Sequence, residues 1–220
     1  MNLGFYLLIF QYTDEIGQGS GWGKHEFFVF LATSMLVNSL VQTFFMPNCE
    51  ELSELIRSGG LDFALLKPID TQFLVSLQKS DWSSLSNFLL GLGLLGYSQW
   101  QLATRATDPL TFGPVALLLY PVYVLCGVVI LYSLMIALSA TSIWLGRNQT
   151  LYDFWFYITN FSRYPMEIYE GTWGSPMRWA FTYMVPVLVV VNVPARVMVQ
   201  PLRGENAFLA LFALAATVAS

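Results

Sequence analysis

Charged residues are scarce in this chain. Only 11% of its 220 residues are Asp, Glu, Lys or Arg, against roughly 25% in an average soluble domain. A soluble protein with so little charge could not cover its surface with polar groups, and 55% of the residues are hydrophobic, so the composition favours a chain that lies mostly in a lipid bilayer. The net charge of −4 argues against a nucleic-acid partner, which requires a clustered basic surface.

Cysteine and histidine are almost absent, which excludes several kinds of site. The two cysteines, Cys49 and Cys126, each lie in or beside an apolar run, and we interpret both as small packing residues. The single histidine, His25, cannot build a zinc site alone, and we interpret it as an interfacial residue. The phosphate-binding pattern G-x-x-x-x-G-K-S/T is also missing. The sequence therefore predicts neither a catalytic cluster nor a nucleotide site on this chain.

The chain contains long runs without charged residues, which are candidate membrane helices. A helix crosses the hydrocarbon core with about 20 apolar residues, and the charge-free runs are 27–49, 82–104, 109–146, 179–195 and 206–220. The third run exceeds one crossing and carries prolines near its start, which predicts a long tilted helix whose first turns lie at the interface. The fourth is interrupted by Pro186 and Pro194, so it is predicted either to cross or to be re-entrant. The aromatic segment 153–162 is predicted to cross or to lie at the interface.

The two ends of the sequence are predicted to be incomplete helices. Residues 3–12 are apolar but too short to span a bilayer, and they lack the basic region of a signal peptide. The final run is likewise short and has no polar anchor after it. We expect a single all-α transmembrane domain over 1–220, a polytopic bundle of about six helices with the first and last incomplete.

The loop 48–81, between the first two long runs, is the most informative segment. Asn48 is predicted to cap a short helix that carries acidic residues in its first turn. The residues at helical spacing, Leu52, Leu55 and Ile56, give that helix one apolar face, and Gly59-Gly60 is predicted to end it. An amphipathic turn at 61–68 and a further short helix at 72–78 are expected to follow. Either this is a simple surface loop, or it is a docking element for a cytoplasmic partner.

The loop resembles the intracellular loop of a bacterial branch of type-2 ATP-binding-cassette (ABC) exporter permeases. In that branch the pattern I-R-x-G-x-L-D-x-x-L-L-K-P follows the second helix. The matching residues are Ile56, Arg57, Gly59, Leu61, Asp62, Leu65, Leu66, Lys67 and Pro68. Looser agreement appears at Tyr164-Pro165 and at 193–196, and the likeness spans nearly the whole chain. It departs at the ends, where family members have a full first helix and a basic tail.

The resemblance implies a permease subunit of an ABC exporter in the plasma membrane of a prokaryote. Such a subunit works as a dimer with a second copy or a related chain, and ATP and Mg are bound by a separate ABC ATPase subunit. The loop 48–81 is then cytoplasmic, its helix at 50–58 is the coupling helix, and 163–205 is an outer loop or re-entrant region. The residues expected to couple to the ATPase are Glu50, Glu51, Glu54, Arg57, Gly59, Gly60, Asp62, Lys67 and Pro68. The distribution of basic residues does not determine the orientation, which rests on the resemblance.

Two other classes of function stay open. A secondary transporter or channel is disfavoured because no charge lies in the middle of any apolar run and no inverted repeat is visible. A membrane-embedded enzyme or scaffold is disfavoured because a catalytic cluster is missing. If helical, Glu167 and Glu170 share one face, which predicts an outer vestibule or an interfacial aromatic belt. The cargo stays open among lipids, peptides, polyketides and drug-like molecules.

A group of small residues within the second long run has a structural interpretation. Gly91, Gly93 and Gly96 lie inside an apolar segment, where a phosphate-binding loop cannot form. Small residues at such positions let neighbouring membrane helices approach closely. We therefore expect these glycines to mark a helix-packing face.

Overall fold

The computed structural model describes residues 3–13, 15–16, 21–66, 73, 77–105, 113–145, 156–157, 160–200 and 204–220. In chain order its helices are α1 (Leu3–Tyr12), α2 (Lys24–Phe44), α3 (Met46–Ser58), α4 (Leu61–Leu65), α5 (Leu85–Ala103), α6 (Pro114–Leu145), α7 (Gly174–Trp179), α8 (Val187–Val199) and α9 (Glu205–Ala219). Single 3-10 turns lie at Trp82–Ser84 and Met166–Tyr169, and a π-helical turn at Ala180–Met184 follows α7. The predicted all-α class is confirmed.

Two of the described helices, α2 and α6, are long and apolar enough to cross a membrane. The α6 helix has 32 residues and is therefore about 48 Å long, well beyond the hydrocarbon thickness of about 30 Å. The long helix predicted in the run 109–146 is thus confirmed, with Pro121 inside it. The run 82–104 forms α5, which has 19 residues but is not apolar enough along its length to count as a third such helix. Polar side chains in its second half, including Ser98 and Gln101, lower its hydropathy.

The α2 helix occupies the centre of the bundle. It packs along α5 and also contacts α6 and α8, and large side chains on several of its faces, such as Phe27, Phe30 and Leu31, are almost fully buried. A helix that is apolar all round needs partners on every side, in protein or lipid. A Cβ atom placed on Gly91 of α5 would lie 3.2 Å from Leu36 of α2, whereas Gly93 and Gly96 have nothing within 4 Å. The packing prediction is therefore confirmed for Gly91, and for Gly93 and Gly96 it stays a prediction, because within the described part of this chain no neighbour lies against them.

The fourth apolar run forms a bent pair, defined as Gly174–Met184 and Val187–Val199, whose two parts meet at 87°. The break falls at Pro186, which precedes α8, and Pro194 lies inside α8 without ending it. Because Pro194 has no N–H, the carbonyl oxygen of Val190 loses its helical donor. That oxygen faces Gly127 of α6, where an added Cβ would lie only 2.8 Å away. The bent pair is thus seated closely on α6.

The bent pair and the loop 48–81 contact different halves of α6. The α8 helix meets α6 at Gly127, whereas the start of α3 contacts Tyr132, further along α6 toward its carboxyl end. At the other end of α8, Gln200 lies 3.7 Å from the Cβ position of Gly21, just before α2 begins. The end of α8 therefore lies toward the end of the bundle that is remote from the loop.

Candidate functional site

The loop that contains the predicted coupling residues starts directly at the end of α2. Only Phe45 separates α2 from α3, and Pro47 lies in the first turn of α3, a position where its missing N–H costs nothing. The helix ends at Gly59, whose φ of 73° is a left-handed conformation that glycine adopts without strain. The predicted end of the coupling helix is confirmed, and its start lies earlier than the predicted residue 50.

Asn48 is not the cap of this helix, so that prediction is wrong. Because α3 begins at Met46, Asn48 lies inside its first turn and is only 2% exposed. Its Nδ2 donates to the backbone oxygens of Phe44 at 2.6 Å and of Lys79 at 2.8 Å. Its Oδ1 accepts from the backbone N–H of Lys79 at 2.7 Å. We call this pairing the Asn48–Lys79 clasp, because it joins the start of the loop to its end.

Further contacts close the loop beside the clasp. The backbone N–H of Asp81 donates to the oxygen of Thr43 in α2 at 2.8 Å, and Lys79 Nζ lies 3.1 Å from Glu51 Oε1. The carboxylate of Asp81 accepts from the N–H and the hydroxyl of Ser83, at the start of the turn that leads into α5. These bonds hold the pKa of Asp81 below its usual value. The loop therefore leaves and re-enters the bundle at one fixed point.

The start of α3 is also attached to α6. The ring of Phe45 lies 4.5 Å from that of Tyr132, centroid to centroid. Cys49 is buried, its thiol is hydrogen-bonded to Ser139, and burial raises the pKa of that thiol to about 11. A buried, protonated thiol is a packing group, as predicted for Cys49. Helix α3 is thus fixed to α2 and α6 directly, and through Lys79 to the segment that leads into α5.

Most of the predicted coupling residues lie on the free side of this loop. Five are exposed and two are half-buried; the exposed ones are Glu50, Glu54, Arg57, Gly59 and Asp62, and the half-buried ones are Glu51 and Gly60. Lys67 and Pro68 lie outside the described residues, as does most of the short helix expected at 72–78.

Arg57 and Glu54 form an ion pair on the exposed surface of α3. The guanidinium donates to both carboxylate oxygens, with Nε 2.8 Å from Oε2 and Nη2 2.5 Å from Oε1. These bonds lower the pKa of Glu54, so both charges persist at neutral pH. Because both side chains remain more than half exposed, the pair contributes little to stability and leaves its charges available to a partner.

Exposed apolar side chains follow the charged face. Phe63, Leu65 and Leu66 in and after α4 are 75%, 52% and 80% exposed. Neighbouring charged and apolar groups of this kind are typical of a surface that another protein covers.

A second polar cluster, at the remote end of the bundle, was missed by the sequence analysis. Arg196 of α8, with a side chain only 6% exposed, pairs with Glu167, which is 13% exposed. Nη1 of Arg196 also donates to Asn206 Oδ1 at 2.7 Å. Glu170 is instead exposed and pairs with Arg178. It lies just after the 3-10 turn Met166–Tyr169 in an extended conformation, so the helix on which the shared face of Glu167 and Glu170 depended does not extend to Glu170. The sequence signals were Glu167, expected at a vestibule or an interfacial belt, and Arg196, which follows an apolar run directly and ends the match at 193–196.

Among the described residues, no group of three or more His, Cys, Asp or Glu side chains is arranged to hold a metal ion.

The whole chain, residues 1–220, matches the family model described as ABC-2 family transporter protein. The chain belongs to the ABC-2 transporter family. This membership confirms the resemblance to ABC exporter permeases and identifies the chain as a membrane protein of a transport system. No curated protein and no solved structure matches this member of the family.

Proposed function

We propose that the chain is the non-catalytic permease subunit of an ABC exporter in a prokaryotic plasma membrane. It works as a dimer, with a second copy or a related chain, and ATP and Mg are bound by a separate ATPase subunit. The observation that carries this proposal is the exposed, charged face of α3, held on the bundle by the Asn48–Lys79 clasp. Hydrogen bonds that anchor the start and the end of the loop are expected of a docking element, and are not required in a surface loop that binds nothing.

The attachments of α3 supply a route from the ATPase to the membrane helices. When the ATPase subunits close on ATP, they displace the helix that is docked on them. Because α3 is joined to α2, α5 and α6, the displacement tilts these helices together as rigid elements rather than deforming the loop. The tilt exposes the cargo path alternately to the two sides of the membrane.

Co-purification with the ATPase encoded beside this chain tests the proposal. We expect the two subunits to elute together in mild detergent with ATP hydrolysis. Arg57→Glu combined with Asp62→Lys should weaken this association without unfolding the membrane part, because both side chains are exposed on the loop. Several reversed contacts of this kind typically cost about 2 kcal/mol or more of binding.

A matched variant controls for the change in charge. Lys24→Glu combined with Glu15→Lys reverses the same number of exposed charges near the start of α2, at the end remote from the loop. This variant should keep the ATPase bound. If the loop variant binds the ATPase as well as the unaltered chain does, the coupling assignment is wrong.

A secondary transporter is the second candidate, and the buried pair of Arg196 and Glu167 favours it. Ion-coupled transporters use buried ionisable groups of this kind, and the sequence analysis did not foresee one here. Vesicles that contain the chain and its ATPase decide between the two functions. Transport that requires ATP and persists after ion gradients are collapsed supports the exporter, whereas transport driven by a gradient without ATP supports the alternative.

A further inference from the structure

A cavity of about 250 Å³ lies where the bent pair meets α9, away from the coupling loop. Its lining combines polar side chains, among them Arg178 and Thr182, with apolar ones, among them Trp179, Tyr183 and Leu209. The polar side chains suit the head group of an amphiphile, and the apolar side chains suit its alkyl chain.

Two of the contacts that Arg178 makes beside this cavity are weak. Its Nη1 lies 2.9 Å from the carboxylate of Glu170, which is 63% exposed, so water and salt screen that pair. Its Nη2 donates to the sulfur of Met166 at 3.7 Å, and a thioether is a weak acceptor. A phosphate or carboxylate oxygen would form a shorter, charge-assisted bond with the same nitrogen.

Thr182 provides an independent indication of a ligand. The residue is 3% exposed, and its hydroxyl oxygen makes no hydrogen bond within the described part of the chain. Such a buried hydroxyl is costly unless a ligand or water completes its bonding. It lies in the π-helical turn Ala180–Met184, a kind of irregularity that is frequent at functional sites.

The apolar lining of the cavity continues along α9. The ring of Tyr183 lies 5.2 Å from that of Phe212 and 6.4 Å from that of Phe208. Phe208 and Trp179 remain 55% and 58% exposed. An alkyl chain that leaves the cavity here would lie on aromatic and aliphatic side chains.

We propose that this cavity binds the anionic head group of an amphiphile, with a phosphate or carboxylate on Arg178 and Thr182 and the chain along Tyr183 and α9. The same chemistry is available from an anionic membrane lipid and from an amphipathic anionic cargo. The binding of an anionic amphiphile does not depend on the proposed function. Only the interpretation of that amphiphile as transported cargo rests on the proposed function.

Quenching of tryptophan fluorescence by brominated lipids tests the site. The full chain is placed in phosphatidylcholine vesicles that contain either brominated phosphatidylglycerol or brominated phosphatidylcholine, and the Trp179 signal is the difference from Trp179→Phe. We expect the anionic lipid to quench Trp179 preferentially. Arg178→Gln should reduce the preference about tenfold, as expected for loss of one charge-assisted bond. Equal quenching by both lipids, or a preference unchanged in Arg178→Gln, would overturn the proposal.

Two further variants separate binding from folding. Glu170→Gln removes the competing acid, so the preference for the anionic lipid should rise, whereas a purely structural role for the Arg178–Glu170 pair predicts no rise. Thr182→Val keeps the shape of the side chain and removes its hydroxyl, so the preference should fall. If neither variant changes the preference, the head group does not lie in this cavity.

Soluble probes identify the source of the ligand. Dodecyl phosphate should compete with the brominated lipid, and inorganic phosphate should not; equal competition by inorganic phosphate would contradict the role of the chain. Stimulation of the ATPase in the complex by dodecyl phosphate, lost in Arg178→Gln, would identify the site with cargo. Competition without stimulation would identify it with a resident lipid. Because quenching is measured without the ATPase, failure of the proposed function leaves this test intact.

Discussion

The base of the loop 48–81 and the cluster of Arg196 and Glu167 hold polar groups in opposite ways. In the loop, the buried contacts are made by a neutral amide, Asn48, and the charges of Glu54 and Arg57 stay in water. In the cluster, the charges themselves are buried, since the side chains of Arg196 in α8 and Glu167 in the turn Met166–Tyr169 are 6% and 13% exposed. A neutral clasp fixes a segment while it leaves the neighbouring charges free for a partner, whereas a buried ion pair uses its charges on each other.

The two arrangements have different consequences when one partner is lost. Removal of a side-chain amide leaves neutral backbone groups without their hydrogen bonds, which lowers the free energy of unfolding moderately. A buried charge that loses its partner is far more costly. Helix α8 should therefore be more sensitive to single substitutions at its charge than the loop is at its exposed ion pair.

Arg196→Met gives the largest expected effect. It leaves the carboxylate of Glu167 buried and unpaired, so we expect the free energy of unfolding to fall by about 3–5 kcal/mol. The measurement is titration of the purified chain with a denaturing detergent. The control is Arg57→Met, which breaks an exposed pair and should cost less than about 1 kcal/mol.

A double variant separates charge from packing in this cluster. Arg196→Met combined with Glu167→Leu removes both charges, so much of the loss should be recovered. If the double variant is as unstable as the single one, the cost comes from lost packing. Equal effects of Arg196→Met and Arg57→Met would remove the contrast between the two regions.

Local sequence patterns predicted the end of the first helix in the loop, but not its start. The left-handed Gly59, the apolar spacing around Leu55 and the exposed charges all follow from residues a few positions apart. The long helix in 109–146 followed from its uninterrupted apolar character. These features depend on neighbours in the chain, which a single sequence displays.

Contacts between distant residues were not predictable from the same patterns. The partner of Asn48 lies 31 positions away and that of Arg196 lies 29 positions away. Asn48 beside acidic residues is typical of a helix cap, and only the earlier start of α3 places it inside the helix. The 87° bend is compatible with both predicted alternatives, a broken crossing and a re-entrant segment. Its place was not predictable, because Pro186 and Pro194 look alike in sequence and only Pro186 lies at the break.

Asn48→Leu should have the next largest effect on the free energy of unfolding. It removes three hydrogen bonds and leaves the N–H and carbonyl of Lys79 without this partner, which should cost about 2–4 kcal/mol. Hydrogen exchange at the amide of Lys79 should accelerate. Asn38→Leu is the matched control, since Asn38 donates to the backbone oxygen and the hydroxyl of Ser34 within α2. Unchanged exchange in Asn48→Leu would show that the clasp does not fix the loop.

Gly127→Ala tests the seat of the bent pair on α6. The new methyl group would lie 2.8 Å from the backbone oxygen of Val190, so α8 must shift, and we expect a cost of about 1–3 kcal/mol. Gly93→Ala adds the same methyl group to open space and should be neutral or slightly stabilising. The same detergent titration compares the two variants. A Gly127→Ala chain as stable as Gly93→Ala would mean that α8 is not held closely on α6.

The smallest effect concerns the pH dependence of the closed loop. Hydrogen bonds from Ser83 and Ser84 lower the pKa of Asp81 in the folded chain, so its carboxylate adds stability above the unfolded value of about 3.9. That contribution is lost as the pH falls below this value toward the lower folded pKa. Asp81→Asn should therefore lower the melting temperature slightly at pH 7 and match the unaltered chain progressively more closely as the pH falls below about 4. A difference that stays constant over this range would show that the amide fails for steric reasons, and that the charge of Asp81 does not help to close the loop.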